Sequence, residues 1–80
     1  MFYIYILQSL KDSSYYVGSS ANLEDRFIRH NQGRSKSTKN KRPWKMIYTE
    51  EFKTRAEAVK REVGIKNKKS RKYIEWLISN

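Results

Sequence analysis

The sequence predicts an α+β fold in which a β-hairpin, a helix and a third strand are followed by two further helices, in the order β-β-α-β-α-α. Runs of aromatic and β-branched residues mark the strands, and capping residues precede the segments with helical spacing. A chain of 80 residues is expected to form one domain, residues 1–80, with a thin hydrophobic core.

The hairpin is predicted from residues 2–7 and 15–18, which are separated by a turn-forming segment. Side chains alternate between the two faces of a strand. If Tyr5 and Tyr16 share a face of the hairpin, their hydroxyls point into one cleft. Gly18 would then leave that surface open for a ligand to approach.

The first helix is predicted to run for about ten residues between Asn22, a favourable N-cap, and Gly33, a favourable C-terminal stop. The stripe expected to face the sheet contains Arg26 and His30 among its apolar residues. Two interpretations remain open. Either both side chains serve a site, or they lie at the edge of the stripe and reach water along their apolar stems.

Residues 34–45 carry six Lys or Arg residues and no acid, and their Ser, Asn and Pro content predicts a loop. This segment is expected to follow the phosphates of a nucleic acid, or else to be a solvated run of charge. Trp44 is expected to pack in the core, with a base-stacking platform as the alternative.

Two further elements are predicted from local patterns. Residues 45–52 alternate as a third strand, with Met46, Tyr48 and Phe52 on one face. Ser70 is expected to cap a last helix.

The helix between them is predicted to begin at Arg55, because Thr54 and Glu57 form a capping box. Its helical wheel places Glu62 within an apolar arc. The arc comprises Ala56, Ala58, Val59, Val63 and Ile65, and the opposite side comprises Glu57, Lys60 and Arg61. A carboxylate that faces the interior needs a metal ion or a cation as its partner, and Lys66 is available one turn away.

The excess of basic residues predicts a polyanionic partner. The chain contains 18 Lys and Arg residues and 8 Asp and Glu residues, and its net charge is +10. Nucleic acid is favoured over an anionic membrane, since no apolar run approaches the ~20 residues of a membrane span. A cytoplasmic location is expected. The residues expected to contact nucleic acid are Arg34, Lys36, Lys39, Lys41, Arg42, Lys66, Lys68, Lys69 and Arg71.

The candidate site residues suit phosphodiester hydrolysis. Glu62 can hold one Mg²⁺ or Mn²⁺ with water completing its shell, and Arg26 can clamp a phosphate. Tyr5, Tyr16 or His30 can position or deprotonate the attacking water, and the residue types leave the choice between the histidine and a tyrosine open.

The order and spacing of these residues resemble the GIY-YIG nuclease family, and the likeness extends from residue 2 to about residue 66. It is most similar to the small single-domain bacterial members. The resemblance implies that the signature tyrosines are Tyr5 and Tyr16, the closing glycine Gly18, the catalytic arginine Arg26, the helix histidine His30 and the metal-binding glutamate Glu62. It also implies a three-stranded antiparallel sheet flanked by helices, and metal-dependent DNA cleavage in repair or recombination.

The chain departs from the family pattern at three points. Tyr3 stands where the first signature glycine is expected, and Ser19 where the repair-type branch has a lysine. Asn67 and Asn80 are the only candidates for a distal asparagine. The alternative is therefore a non-catalytic or weakly catalytic nucleic-acid-binding domain, for DNA or RNA. Target choice is expected to come from the basic segments or from a larger repair or recombination protein as partner.

Overall fold

The computed structural model describes residues 1–79 and contains the elements in the expected order. The strands are β1 (Phe2–Ser9), β2 (Tyr15–Ser20) and β3 (Trp44–Phe52), and the helices are α1 (Leu23–Asn31), α2 (Arg55–Asn67) and α3 (Arg71–Ser79). The strands form one antiparallel sheet in the order β2-β1-β3, which confirms the α+β prediction. No helix within residues 1–79 is long and apolar enough to cross a bilayer.

The capping residues explain where the helices begin and end. The Asn22 side chain accepts a hydrogen bond from a backbone N–H in the first turn of α1 at 3.0 Å. Gly33 follows α1 with φ +79°, a left-handed conformation that glycine adopts without strain. Thr54 and Glu57 form both bonds of a capping box at the start of α2, and the Ser70 hydroxyl accepts an N–H of α3 at 3.2 Å.

Both faces of the sheet are covered, because successive residues of β1 point in opposite directions. Helix α1 packs on one face, and α2 and α3 pack on the other. The α1 face buries Tyr5, Leu7 and Trp44 against Leu23 and Phe27. The other face buries Ile4, Ile6 and Val17 against Ala58, Ile65 and Leu77. Side chains on β1 therefore serve two separate cores.

A β-bulge in β3 changes which side chains share a face. Ile6 pairs with Tyr48 but Leu7 pairs with Met46, so β3 carries one extra residue at this point. Met46 consequently packs on the α1 face with Leu7. The expectation that Met46 shares a face with Tyr48 and Phe52 is wrong, because simple alternation does not hold across a bulge.

Fewer residues of the apolar arc expected on α2 are buried than the helical wheel predicts. Ala58 and Ile65 are buried, whereas Val59 and Val63 are 41% and 47% exposed and Ala56 is also exposed. The sheet contacts a stripe of α2 spaced by three and four residues, not the whole arc.

Arg61, expected on the outer side of α2, is half-buried and faces the sheet. Its Nε and Nη2 donate to the two carboxylate oxygens of Glu50 at 2.8 and 3.0 Å, and the Tyr48 hydroxyl also donates to this carboxylate. Arg61 pairs with the one acid that interrupts the inner face of β3, so the position of Arg61 was predicted wrongly.

The basic segment contains a short 3₁₀ turn, Lys39–Lys41, and β3 begins at Trp44. Trp44 is 4% exposed, and its indole N–H donates to the Thr38 carbonyl at 2.9 Å. The expected core role of Trp44 is confirmed, and the alternative of a base-stacking platform is wrong.

Gly18 provides the space for the Tyr5 phenol. A Cβ atom built on Gly18 would lie 2.5 Å from the Tyr5 hydroxyl oxygen and 2.6 Å from the ring carbon that bears it. Gly18 therefore does not leave the surface open for a ligand, because Tyr5 fills that space.

We expect Gly18→Ala to lower the free energy of unfolding by about 1–3 kcal/mol, because the buried Tyr5 ring has to move. Gly64→Ala is the matched control, since nothing lies within 4 Å of a Cβ at this position of α2. It should stabilise the helix by roughly 0.5–1 kcal/mol. Urea unfolding measures both variants, and equal effects would contradict the close contact at Gly18.

Candidate active site

Tyr5 and Tyr16 lie on the same face of the sheet, beneath α1. Tyr5 pairs with Gly18, and Leu7 pairs with Tyr16, so the two phenols are diagonal neighbours on adjacent strands. Their ring centroids are 6.4 Å apart. Tyr5 is 2% exposed, whereas Tyr16 is half-buried and reaches the surface. Tyr16 is therefore the phenol that can meet solvent.

His30 completes this cluster from the last turn of α1 and is 3% exposed. Its Nε2 lies 3.0 Å from the Tyr5 hydroxyl, and its Nδ1 lies 2.8 Å from the Thr38 hydroxyl. The ring centroids of His30 and Tyr16 are 4.9 Å apart. The imidazole is held by hydrogen bonds on both nitrogens and by the Tyr16 ring.

The hydrogen bonds limit the proton positions on this imidazole. A neutral imidazole donates from one ring nitrogen and accepts at the other, and the hydroxyls of Tyr5 and Thr38 can each take either role. One nitrogen of His30 therefore donates to a hydroxyl, and the other accepts from a hydroxyl.

The buried groups of the cluster favour their neutral forms. Burial raises the pKa of the Tyr5 phenol above its ordinary range; the neighbouring Tyr16 acts in the same direction, and Arg26 opposes both. Burial, and next the positive charge of Arg26, lower the pKa of His30. A neutral imidazole is thus maintained beside an un-ionised Tyr5 phenol, so neither carries charge near neutral pH.

Arg26 is exposed at the rim of the cluster, one turn before His30 on α1. A cavity of about 180 Å³ is lined by Arg26, Arg29, His30, Arg34 and Ser35. The interpretation that basic side chains at the stripe's edge reach water is right for Arg26 and wrong for His30. Arg29 lines the same cavity and pairs with Asp25 at 3.0 Å.

Glu62 approaches from the opposite side of the sheet, because α2 packs on the other face. Its Oε1 accepts a hydrogen bond from the Ser19 hydroxyl at 2.5 Å, and its Oε2 lies 2.6 Å from the Lys66 ammonium. The side chain is 17% exposed at the edge strand β2. Its charge contributes to the raised pKa of Tyr5, so the carboxylate acts on the phenol cluster across this edge.

Glu62 is the residue at this edge that could hold a divalent metal ion. Within residues 1–79, no group of three or more His, Cys, Asp or Glu side chains could hold a metal ion. Glu62 would supply one carboxylate ligand and water the others, a ligand set that magnesium accepts.

The basic residues form two exposed clusters beside the site. The loop cluster comprises Arg34, Lys36, Lys39, Lys41 and Arg42, and the junction cluster between α2 and α3 comprises Lys66, Lys68, Lys69 and Arg71. Arg34 lines the same cavity as Arg26. Lys66 contacts Glu62, and its ammonium lies 5.8 Å from the centroid of the Tyr16 ring. Each cluster thus adjoins the candidate site.

Sequence reasoning missed the residues that support His30. Thr38 is fully buried within the basic segment, where its neighbours in sequence are Ser and Lys. Asn31 binds the backbone of Trp44 twice, with its Oδ1 accepting from the Trp44 N–H at 2.6 Å and its Nδ2 donating to the carbonyl at 3.2 Å. These contacts are non-local, and no spacing in the sequence indicates them.

Three of the residues that depart from the family pattern, or that bear on it, can be located in the fold. Ser19 bonds to Glu62, and Tyr3 is half-buried within β1. Asn67 is exposed at the last position of α2. Asn80 lies outside the described residues.

This fold and this arrangement of residues define a GIY-YIG domain, and the sequence matches the GIY-YIG catalytic domain over residues 1–74. The chain belongs to this family. It is 48% identical over 65 residues to UPF0213 protein SSP2268 of Staphylococcus saprophyticus, covering 80% of this chain and 78% of that protein. It is 45% identical over 71 residues to UPF0213 protein lwe0147 of Listeria welshimeri, covering 88% and 77%.

A solved relative has the same fold. The solution NMR structure of UPF0213 protein BH0048 from Bacillus halodurans is similar to this chain with a TM-score of 0.61 and 33% sequence identity. The match covers 99% of this chain and 84% of that one. The family resemblance inferred from the sequence is thereby confirmed, and the family is one of nucleases.

We expect Thr38→Val to lower the free energy of unfolding by about 1–3 kcal/mol, because it leaves the buried Nδ1 of His30 without its hydrogen-bond partner. Thr49→Val is the matched control, since Thr49 is exposed on β3 and should tolerate the change within about 0.5 kcal/mol. Chemical denaturation of both variants measures the difference. Similar losses would show that the Thr38–His30 bond contributes no stability.

We expect the stability to fall as the pH is lowered from about 7 towards 5. His30 is the single histidine, with a folded-state pKa below its ordinary value. Below about pH 6.5 the unfolded chain protonates its imidazole while the folded chain does not, so the unfolded state binds more protons. Denaturant unfolding across this range should show that the free energy of unfolding of the wild type falls as the pH is lowered. The fall should be smaller in His30→Gln. A folded-state NMR titration of His30 with a midpoint above 6.5 would contradict the lowered pKa of this imidazole.

Proposed function

We propose that this protein is an endonuclease that hydrolyses phosphodiester bonds of DNA with a divalent metal ion, Mg²⁺ or Mn²⁺. The observation that carries the proposal is the convergence of Tyr5, Tyr16 and His30 beneath α1. Arg26 lies at the rim of this cluster, and Glu62 lies at the adjoining edge of the sheet. A net charge of +10 suits a polyanionic substrate.

Arg26 would bind the scissile phosphate. It is an exposed guanidinium at a cavity with Arg29 and Arg34, and planar guanidinium groups bind phosphate oxygens in bidentate fashion. Its positive charge would also stabilise the negative charge that develops on the phosphoryl oxygens during the reaction.

Tyr16 would position the attacking water, because it is the phenol that reaches solvent. Tyr5 is excluded from this role by its burial, its raised pKa and its hydrogen bond to His30. His30 would act as a positioning residue that fixes Tyr5 and packs against the Tyr16 ring. The proposed residue that positions the water is thus Tyr16 and not His30.

Glu62 would hold the metal ion at the β2 edge, with Ser19 fixing the other carboxylate oxygen. When bound, the ion supplies Lewis-acid stabilisation of the phosphoryl charge. Glu62 lies on the far side of β2 from Tyr5, so the substrate phosphate would be bound across this edge.

The loop cluster and the junction cluster would bind the flanking phosphates, since both adjoin the site. Contacts of this kind fix position without reading sequence, so structured or damaged DNA is the proposed substrate. RNA as substrate, a cytoplasmic location, and a larger repair or recombination partner stay predictions.

We expect Arg26→Ala and Glu62→Gln each to reduce cleavage by roughly 100-fold or more in plasmid-nicking and branched-DNA assays with Mg²⁺ or Mn²⁺. Arg55→Ala and Glu51→Gln are the matched controls, because both residues are exposed, Arg55 packs on Phe2, and Glu51 belongs to β3, the outer strand on the other side of β1 from β2. The controls should cut like the wild type.

A second candidate function is non-catalytic nucleic-acid binding. It is favoured by the two partners that already engage the Glu62 carboxylate, Ser19 and Lys66. Salt-dependent binding without turnover in either metal would support this function. Equal cleavage by the wild type, Arg26→Ala and Glu62→Gln would mean that the activity belongs to a contaminant and that the site is assigned wrongly.

A further inference from the structure

The ion pair between Glu62 and Lys66 differs from other ion pairs in the described part of the chain. The Lys66 Nζ lies 2.6 Å from Oε2, which is shorter than the corresponding distances of 2.8–3.6 Å in the other pairs. The Glu62 side chain is 17% exposed, close to the 23% of Glu50 in the Arg61 pair, whereas the acids of the other three pairs are 45% exposed or more. The carboxylate is therefore less exposed than those three acids, while its lysine partner, 47% exposed, remains in contact with water.

Local helix geometry places Lys66 on Glu62. The two residues are separated by four positions on α2, with the acid on the N-terminal side, which is the favourable orientation for such a pair. The Ser19 hydroxyl engages the other carboxylate oxygen at 2.5 Å. Both oxygens of Glu62 thus have partners, and the carboxylate is held in one orientation.

The two partners of Glu62 differ in how easily they can leave. Ser19 belongs to β2 and has a short side chain, so its hydroxyl is fixed by the sheet. Lys66 is 47% exposed and has a flexible four-carbon stem. A divalent ion that binds Oε2 would displace the lysine rather than the serine.

Tyr16 keeps the lysine close to the site. The Lys66 ammonium lies 5.8 Å from the centroid of the Tyr16 ring, within the range of a cation–π contact. An ammonium that leaves the carboxylate therefore still has a favourable position beside the phenol.

We propose that Lys66 is a built-in counter-cation of Glu62, which occupies the position of the divalent ion and must be displaced before the ion binds. Lys66 would thereby weaken the metal affinity of Glu62 and keep the carboxylate neutralised and ordered in the metal-free protein. This inference rests on the proposed function, because it takes Glu62 as the metal ligand.

The test measures Mn²⁺ binding to the wild type, Lys66→Met and Lys60→Met. Binding is detected by calorimetry or by water-proton relaxation. Methionine keeps the length of the stem and removes the charge. Lys60 is the matched control, since it is an exposed lysine of the same helix expected on the side away from Glu62. We expect Lys66→Met to bind Mn²⁺ about fivefold more tightly than Lys60→Met.

NMR provides a readout of displacement that is independent of affinity. Addition of Mg²⁺ to the wild type should shift the ε-methylene signals of Lys66 and leave those of Lys60 in place. Spectra of each variant in the absence of metal verify that it is folded.

The outcomes separate the two proposals. Equal Mn²⁺ affinity in Lys66→Met and Lys60→Met, with binding still lost in Glu62→Gln, would overturn the role of Lys66 alone. Mn²⁺ binding that persists unchanged in Glu62→Gln would overturn Glu62 as the ligand, and with it both proposals.

Discussion

The hydrogen bonds on both nitrogens of His30 are the constraint on which the candidate site depends. The imidazole joins three separate parts of the chain: β1 through Tyr5, α1 through its own backbone, and the basic segment through Thr38. A buried imidazole with an unpaired nitrogen would be costly, so each partner has to be in place. The segment around Thr38 is fixed in turn by the Trp44 indole, which donates to its carbonyl.

The site occupies an edge of the sheet rather than a pocket on one face. Tyr5 and Tyr16 lie under α1, whereas Glu62 belongs to a helix on the opposite face. Glu62 reaches the edge of this cluster because β2 is an outer strand, and the Ser19 hydroxyl of β2 donates to its carboxylate. At an edge strand, residues from both faces of a covered sheet can approach the same ligand.

The features that the sequence predicts correctly depend on contacts between residues that are close together in the chain. Asn22 and the capping box at Thr54 fix helix starts by contacts within one turn, and alternation in β1 places Tyr5 correctly. What the sequence does not reveal depends on pairing between distant elements. The extra residue in β3 that redirects Met46 is defined by its register with β1, and the burial of Thr38 is defined by α1.

The distribution of charge indicates where chemistry can take place. The buried groups of the cluster, His30 and Tyr5, are held in their neutral forms, whereas Arg26 and Lys66 are exposed and Glu62 lies partly exposed at the edge of the sheet. A buried charge would need a fixed partner and would lose that partner whenever substrate was bound or released. Charged groups at the rim can exchange water, ammonium or phosphate at small cost. The neutral cluster therefore fixes the geometry of the candidate site, and binding is left to the charged groups at its rim.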